Sequence, residues 1–267
     1  AAMTYNPASE PKGSVMACGG YDLESNACWT FDGSAWTPLP ESNKRHCWLD
    51  SSSLLLDNGW WWITGRLQDG RGVCATSESP KWTSEIFTGK EWSNGPAHPQ
   101  GLEDKHYEFA CLVNLNTSHS MFVGGDPTWS NSYLYDWSSG EWTETGSLNY
   151  GRKGHRCIRL ADQGVLVVGG ENGDSGPLHS VELYNPYTGT WSLQSDLPMV
   201  IDPLRPILLN QAGQVIALFH QNGVIYKRSE KDGKWSVLQG VQLPQATEGF
   251  GHDKAVLVPD DFVLSCV

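Results

Sequence analysis

The chain has 267 residues, 39% of them hydrophobic and 18% charged, and a formal net charge of −12. That acidity, with no basic run anywhere, excludes the Lys/Arg stripes that nucleic acid and anionic lipid require. No stretch approaches 18 consecutive apolar residues, so membrane insertion is not expected.

Thirteen Trp and 29 Gly accompany a near absence of apolar residues at helical spacing. Many short strands and tight turns are therefore expected, in an all-β protein. The first residues, "AAMTYNPASE", have neither a basic n-region nor an apolar h-region and do not read as an intact signal peptide. In chain order, apolar runs ending in glycine follow at "SVMACGG" (14–20), "WWWITGR" (60–66), "SMFVGG" (120–125) and "VLVVGG" (165–170). A fifth, "QVIALFH" (214–220), lacks the glycines. After each comes a loop and an alternating segment: "ACWTFDG", "TSEIFTG", "SYLYDW", "SVELYNP" and "GVIYKRS". Each then reaches a tryptophan: Trp36, Trp92, Trp142, Trp191 and Trp235, at spacings of 56, 50, 49 and 44.

Another short apolar segment precedes each glycine run from the second onward: "SSSLLLD", "EFACLVN", "RCIRLA", "RPILLN", and finally "KAVLVP". The unit is thus four short strands in about 50 residues, the period of a propeller blade. Within the run Trp60, Trp61 and Trp62, alternation sends neighbours to opposite faces, and core packing is the expected role.

The pattern of apolar run, Gly pair, Tyr and then Trp resembles the kelch repeat family. The resemblance covers nearly the whole chain, read as one domain over 1–267. Repeats three and four match best; repeat five departs at Phe219–His220, and repeat two has Phe87 where Tyr is usual. It implies an all-β, kelch-type β-propeller of four-stranded antiparallel blades. Six blades, the last incomplete, are favoured over five, in which "KAVLVP" would supply the inner strand of blade one. Kelch propellers serve many roles, so fold alone does not give function.

Seven cysteines occur without CxxC spacing, so a structural zinc site is not expected, nor any other cofactor. Cys18 and Cys28 flank one hairpin loop and are expected to pair; Cys47 and Cys74 form a second candidate pair. Cys111 and Cys157 fall in inner-strand patterns and are expected to be buried small hydrophobes. Asn116-Thr117-Ser118 is an N-glycosylation sequon in a connecting loop. Loop cysteines and sequon together point to a secreted, extracellular protein.

Basic residues and histidines recur before the inner strands: Arg45 and His46, His106, Arg152, His155 and Arg156, Arg205, and His252. In a propeller these converge at one channel mouth, where Arg66, Asp126 and Glu171 also emerge. Trp129, in the loop "GGDPTWSNS", is expected to be exposed on that face. Convergent polar groups in a concavity form a candidate binding site. The expected ligand is a protein or peptide, since some kelch propellers hold acidic peptides through Arg at such positions. A carbohydrate-binding or carbohydrate-processing propeller, sialic-acid isomerase-like, is the alternative, and a structural or storage protein the third. Enzymatic activity is not the favoured reading. Copper oxidases of similar fold need two His and two Tyr, one Tyr paired to a Cys, and no such set appears. "GLEDKHYE" lacks the ligand spacing of an iron-dependent class, and no GxSxG elbow occurs.

Overall fold

The fold is described from a computed structural model covering residues 2–6, 13–19, 26–47, 53–67, 82–99, 110–125, 129–162, 164–198, 207–209, 215–219, 224–237, 254–258 and 261–265. All regular structure among these residues is β. The first sheet contains β1 (Ala2–Asn6), β2 (Ser14–Cys18), β3 (Cys28–Phe31) and β4 (Trp36–Leu39). In the second, β5 (His46–Cys47) and β6 (Ser53–Leu55) both pair with β7 (Trp61–Leu67), followed by β8 (Trp82–Phe87) and β9 (Trp92–Asn94). The third has β10 (Cys111–Asn114), β11 (His119–Val123), β12 (Ser132–Asp136) and β13 (Glu141–Glu144). The fourth has β14 (Arg156–Arg159) and β15 (Val165–Val168), then a small hairpin of β16 (Glu171–Asn172) and β17 (Gly176–Pro177), then β18 (Val181–Asn185) and β19 (Thr190–Leu193). The fifth has β20 (Ile207–Leu209), β21 (Val215–Phe219), β22 (Val224–Arg228) and β23 (Trp235–Val237). Finally β24 (Lys254–Val258) pairs with β25 (Asp261–Ser265) as a two-stranded sheet.

Every pairing is antiparallel, as successive short connections dictate. The inner strands β1, β6, β10, β14, β20 and β24 neighbour one another in that order, and β24 in turn neighbours β1. This is the kelch-type β-propeller arrangement. The strand hydrogen-bonded to β2 is β1, near the N-terminus, while "KAVLVP" pairs only with β25. The inner strand of the first blade is therefore not drawn from the C-terminal segment.

The core lies between sheets. Trp61 and Ile63 pack with Met16, Cys18 and Cys28 of the first sheet, whereas Trp62 packs with Leu112, Phe122 and Tyr133 of the third. Val165 and Val167 face Val113 and Met121; Leu166 and Val168 face the other way, towards Tyr226 and Trp235. A strand alternates sides, so a sheet buried on both faces needs apolar residues at consecutive positions. That explains runs such as "VLVV". Trp60, just before β7, is 40% exposed and stands outside this core.

The repeating tryptophan does two things. Its ring packs on an aromatic residue directly opposite on the neighbouring strand: Trp36 on Phe31, Trp92 on Phe87, Trp142 on Tyr135 and Trp191 on Tyr184. Ring centroids are 5.2, 5.1, 5.0 and 5.2 Å apart. In the second, third and fourth sheets its indole N–H also reaches back to the preceding blade, whereas Trp235, opposite Arg228, has its buried Nε1 without a partner. Trp92 donates to the Pro40 carbonyl at 2.8 Å, Trp142 to Ala97 at 2.6 Å and Trp191 to Gly146 at 2.9 Å. The acceptors all lie just past the outer strand of the blade before.

The Gly pairs have a steric cause. Gly124 and Gly170 have φ of +64° and +87°, and a Cβ at either would lie 2.5 Å from the Arg152 carbonyl or 2.6 Å from that of Lys153. Only glycine fits both the backbone region and the gap.

Replacing Trp191 with Ala is expected to cost about 3–5 kcal/mol through the lost ring and the cavity left behind. Trp191→Phe keeps much of the packing and loses the N–H bond, about 1 kcal/mol of the total; urea denaturation of both variants measures the difference. A second test uses His98, whose ring meets Phe122 edge-on at 5.5 Å. Burial lowers its pKa from 6.5 to about 4. The unfolded chain takes up that proton first, so stability is full above pH 6.5 and falls as pH drops towards about 4. His98→Gln is expected to flatten this part of the urea-midpoint profile.

Candidate functional site

Two connections lead from one sheet into the inner strand of the next, and each is held by a buried carboxylate. Glu182, on β18, is fully buried. It accepts the backbone N–H groups of Asn149 and Tyr150 at 2.7 and 3.0 Å and the Asn149 side-chain amide at 2.8 Å. It also pairs with the Arg152 guanidinium at 2.7 Å. Glu85, on β8, repeats the arrangement with the N–H groups of Asn43 and Lys44, both at 3.1 Å, and His46 Nε2 at 2.6 Å. In both, the basic residue lies three positions after the Asn. These loop N–H groups have no strand partner, and a carboxylate is the strongest acceptor a side chain can offer them.

Arg152 is consequently not a mouth residue open to ligand. Its guanidinium donates to the carbonyls of Tyr150, Gly169 and Ser180, to Ser180 Oγ and to Glu182. Burial lowers its pKa, and Glu182 works against that shift. His46 and His155 are also buried rather than displayed. Trp129 differs from expectation too. It is only partly exposed, because its ring covers Gly173 and carries Lys153 Nζ at 5.0 Å from its centre. Its carbonyl accepts the Arg152 N–H at 2.5 Å, and its φ of +57° sets this return of the chain.

Glu171 pairs with Lys153 at 3.2 Å, and the two residues also exchange backbone hydrogen bonds. Arg156 is half-buried and donates to the His155 carbonyl. Arg45 and Tyr150 are exposed on the same pinned connections. The Arg66 backbone lies opposite Cys47 and Trp82. His106, Asp126, Arg205 and His252 lie outside the described residues, as does Cys74.

Cys18 pairs with Cys28 as expected. Cys111 pairs with Cys157, joining two adjacent inner strands; these are not the free buried thiols expected from their strand patterns. Beside them His155 is fully buried, and neither ring nitrogen makes a well-formed hydrogen bond. Burial, then the charges of Arg152 and Arg156, push its pKa well below the usual histidine range, while the Val123 backbone acts weakly the other way. Asn116 caps the β10–β11 turn, accepting the N–H groups of Ser118 and His119 at 2.8 and 2.9 Å. A shallow cleft there is lined by Trp60, Trp137, Asn58, Asn114, Asn116 and Thr117 among others.

Residues 161–198 match the family model described as the Kelch motif. Kelch-like protein 36 of Bos taurus is 36% identical over 81 residues, which are 30% of this chain and 13% of that protein. Kelch-like protein 6 of Homo sapiens is 33% identical over 96 residues, 36% of this chain and 15% of that protein. The matched segments thus span a small fraction of these relatives.

Removing one partner of a fully buried ion pair strands the other charge. Glu182→Gln is therefore expected to lower stability by about 3–5 kcal/mol. Guanidinium denaturation checks this, and a loss below about 1 kcal/mol would mean the pair is dispensable.

Proposed function

Since the chain belongs to the kelch-repeat family, we propose that this propeller is a protein-interaction module whose contact surface is the rim formed by the connections into the inner strands. The observation that supports the reading most is the buried clamping of those connections. With their backbone N–H groups bound to Glu85 and Glu182, the loops hold their outer residues in fixed positions. Arg45 and the 48%-exposed Tyr150 stand on them. Tyr and Arg are the residues that most often anchor protein interfaces, and a rim already ordered loses little entropy on binding. In this reading Arg152 supports the rim from inside rather than meeting the partner.

An extracellular setting is part of this proposal. The Cys18–Cys28 pair and the sequon at the Asn116 turn support it. The cleft at Trp60 and Trp137 favours a second reading, glycan binding, because indole faces flanked by amides suit sugar rings.

The double variant Arg45→Glu/Tyr150→Ala is expected to lose the proteins that the wild-type propeller enriches in quantitative affinity capture. Its thermal midpoint should stay at the wild-type value, since both side chains are exposed. Unchanged capture by the variant would overturn the rim assignment. Capture abolished instead by Trp60→Ala, together with binding on a glycan array, would favour the second reading.

A further inference from the structure

We propose that Cys111, His155 and Cys157, with both cysteines as thiols, form a three-coordinate site for one soft closed-shell metal ion, Cu(I), between two adjacent blades. The donor atoms of the three residues all lie within 4.8 Å of one another, and among the described residues they are the one such group. They come from separate parts of the chain: Cys111 opens β10, while His155 and Cys157 flank the start of β14. Cys18–Cys28, by contrast, has no third donor gathered beside it among the described residues.

The independent observation is His155. Its side chain is fully buried and neither ring nitrogen makes a well-formed hydrogen bond, the Val123 backbone offering only a weak one, a costly state for an imidazole that serves only packing. Its surroundings are shaped around it. A Cβ on Gly124 would come within 2.7 Å of His155 Cε1, and one on Gly170 within 2.9 Å of its Cβ. Two glycines from successive blades thus leave the space the ring fills.

The donor set chooses the ion. Two thiolates and one imidazole are soft ligands, and a buried zinc site of structural type asks for four donors. A dithiolate holding Cu(I) carries one net negative charge, and Arg156, next to His155 in the chain, contributes positive charge at this site. The Cα atoms of Cys111 and Cys157 are 6.0 Å apart, a separation that allows either a sulfur–sulfur bond or two sulfurs on one ion. Bond and ion exclude each other, so the site belongs to the reduced chain, before the Cys111–Cys157 bond of the structure has closed or after a reductant has opened it. Loading exchanges two thiol protons for one cation, with no electron transfer.

The test is titration of the full chain, fully reduced by a phosphine, with Cu(I) against a chromogenic Cu(I) chelator, and with Zn²⁺ in parallel. One Cu(I) per chain is expected, with affinity falling by about a hundredfold or more in Cys111→Ser, Cys157→Ser and His155→Gln. Cys18→Ser should bind as wild type. In case a variant misfolds, X-ray absorption on the Cu(I)-loaded wild type should show two sulfurs and one nitrogen. The proposal is overturned by no stoichiometric uptake, by unchanged uptake in a folded Cys111→Ser variant, or by an all-sulfur shell. Tighter binding of Zn²⁺ than of Cu(I), or a Cys111–Cys157 bond that resists reduction while the chain stays folded, overturns it equally.

Discussion

A propeller blade is buried on both faces, yet the chain must cross from the outer strand of one blade to the inner strand of the next. That crossing carries backbone N–H groups that no strand can satisfy. Where Glu85 and Glu182 stand, one carboxylate accepts two consecutive loop N–H groups and faces a buried basic residue, His46 or Arg152. The basic side chain and the loop amides together compensate a charge that burial alone would reject. Adjacent sheets keep their register because this crossing is held.

The tryptophans work in the same direction from the outer strands. The rings of Trp92, Trp142 and Trp191 settle against their cross-strand aromatics, and their N–H groups tie down the chain as it leaves the previous blade. Carboxylate and indole therefore hold successive sections of one connection: Trp191 binds at Gly146, and Glu182 at Asn149 and Tyr150. Among the described residues, the connections into the second and fourth sheets are fixed at both of these points. A protein-binding role fits such a surface, because its exposed residues are already placed before a partner arrives.

The blade pattern was legible because its signals are local. Gly pairs, strand alternation and the Phe31–Trp36 type of pairing all fall within a few dozen residues. The fate of the basic residues was not, because it depends on distant partners. Arg152 meets a Glu 30 residues further on, and His46 one 39 residues on. Inside "SVELY" and "TSEIF" those acids read as ordinary solvent-facing strand positions. The signal that could have found them is the shared Asn with a basic residue three positions later, in "NYGR" and "NKRH". Cys111 and Cys157 met across 46 residues for the same reason: neighbouring inner strands bring together what the chain keeps apart. Trp129 looked exposed because Gly173, the surface it covers, belongs to the next blade.

Buried carboxylates hold these two inter-blade connections as firmly as the strands themselves are held. Amide hydrogen exchange at Asn149 and Tyr150 tests this most directly. If the clamp is part of the cooperative structure, both amides exchange as slowly as those of Leu166 and Val167 in the core of the fourth sheet. Exchange at the rate of an unprotected surface loop would contradict it, and the rim would then be a mobile loop rather than a fixed surface.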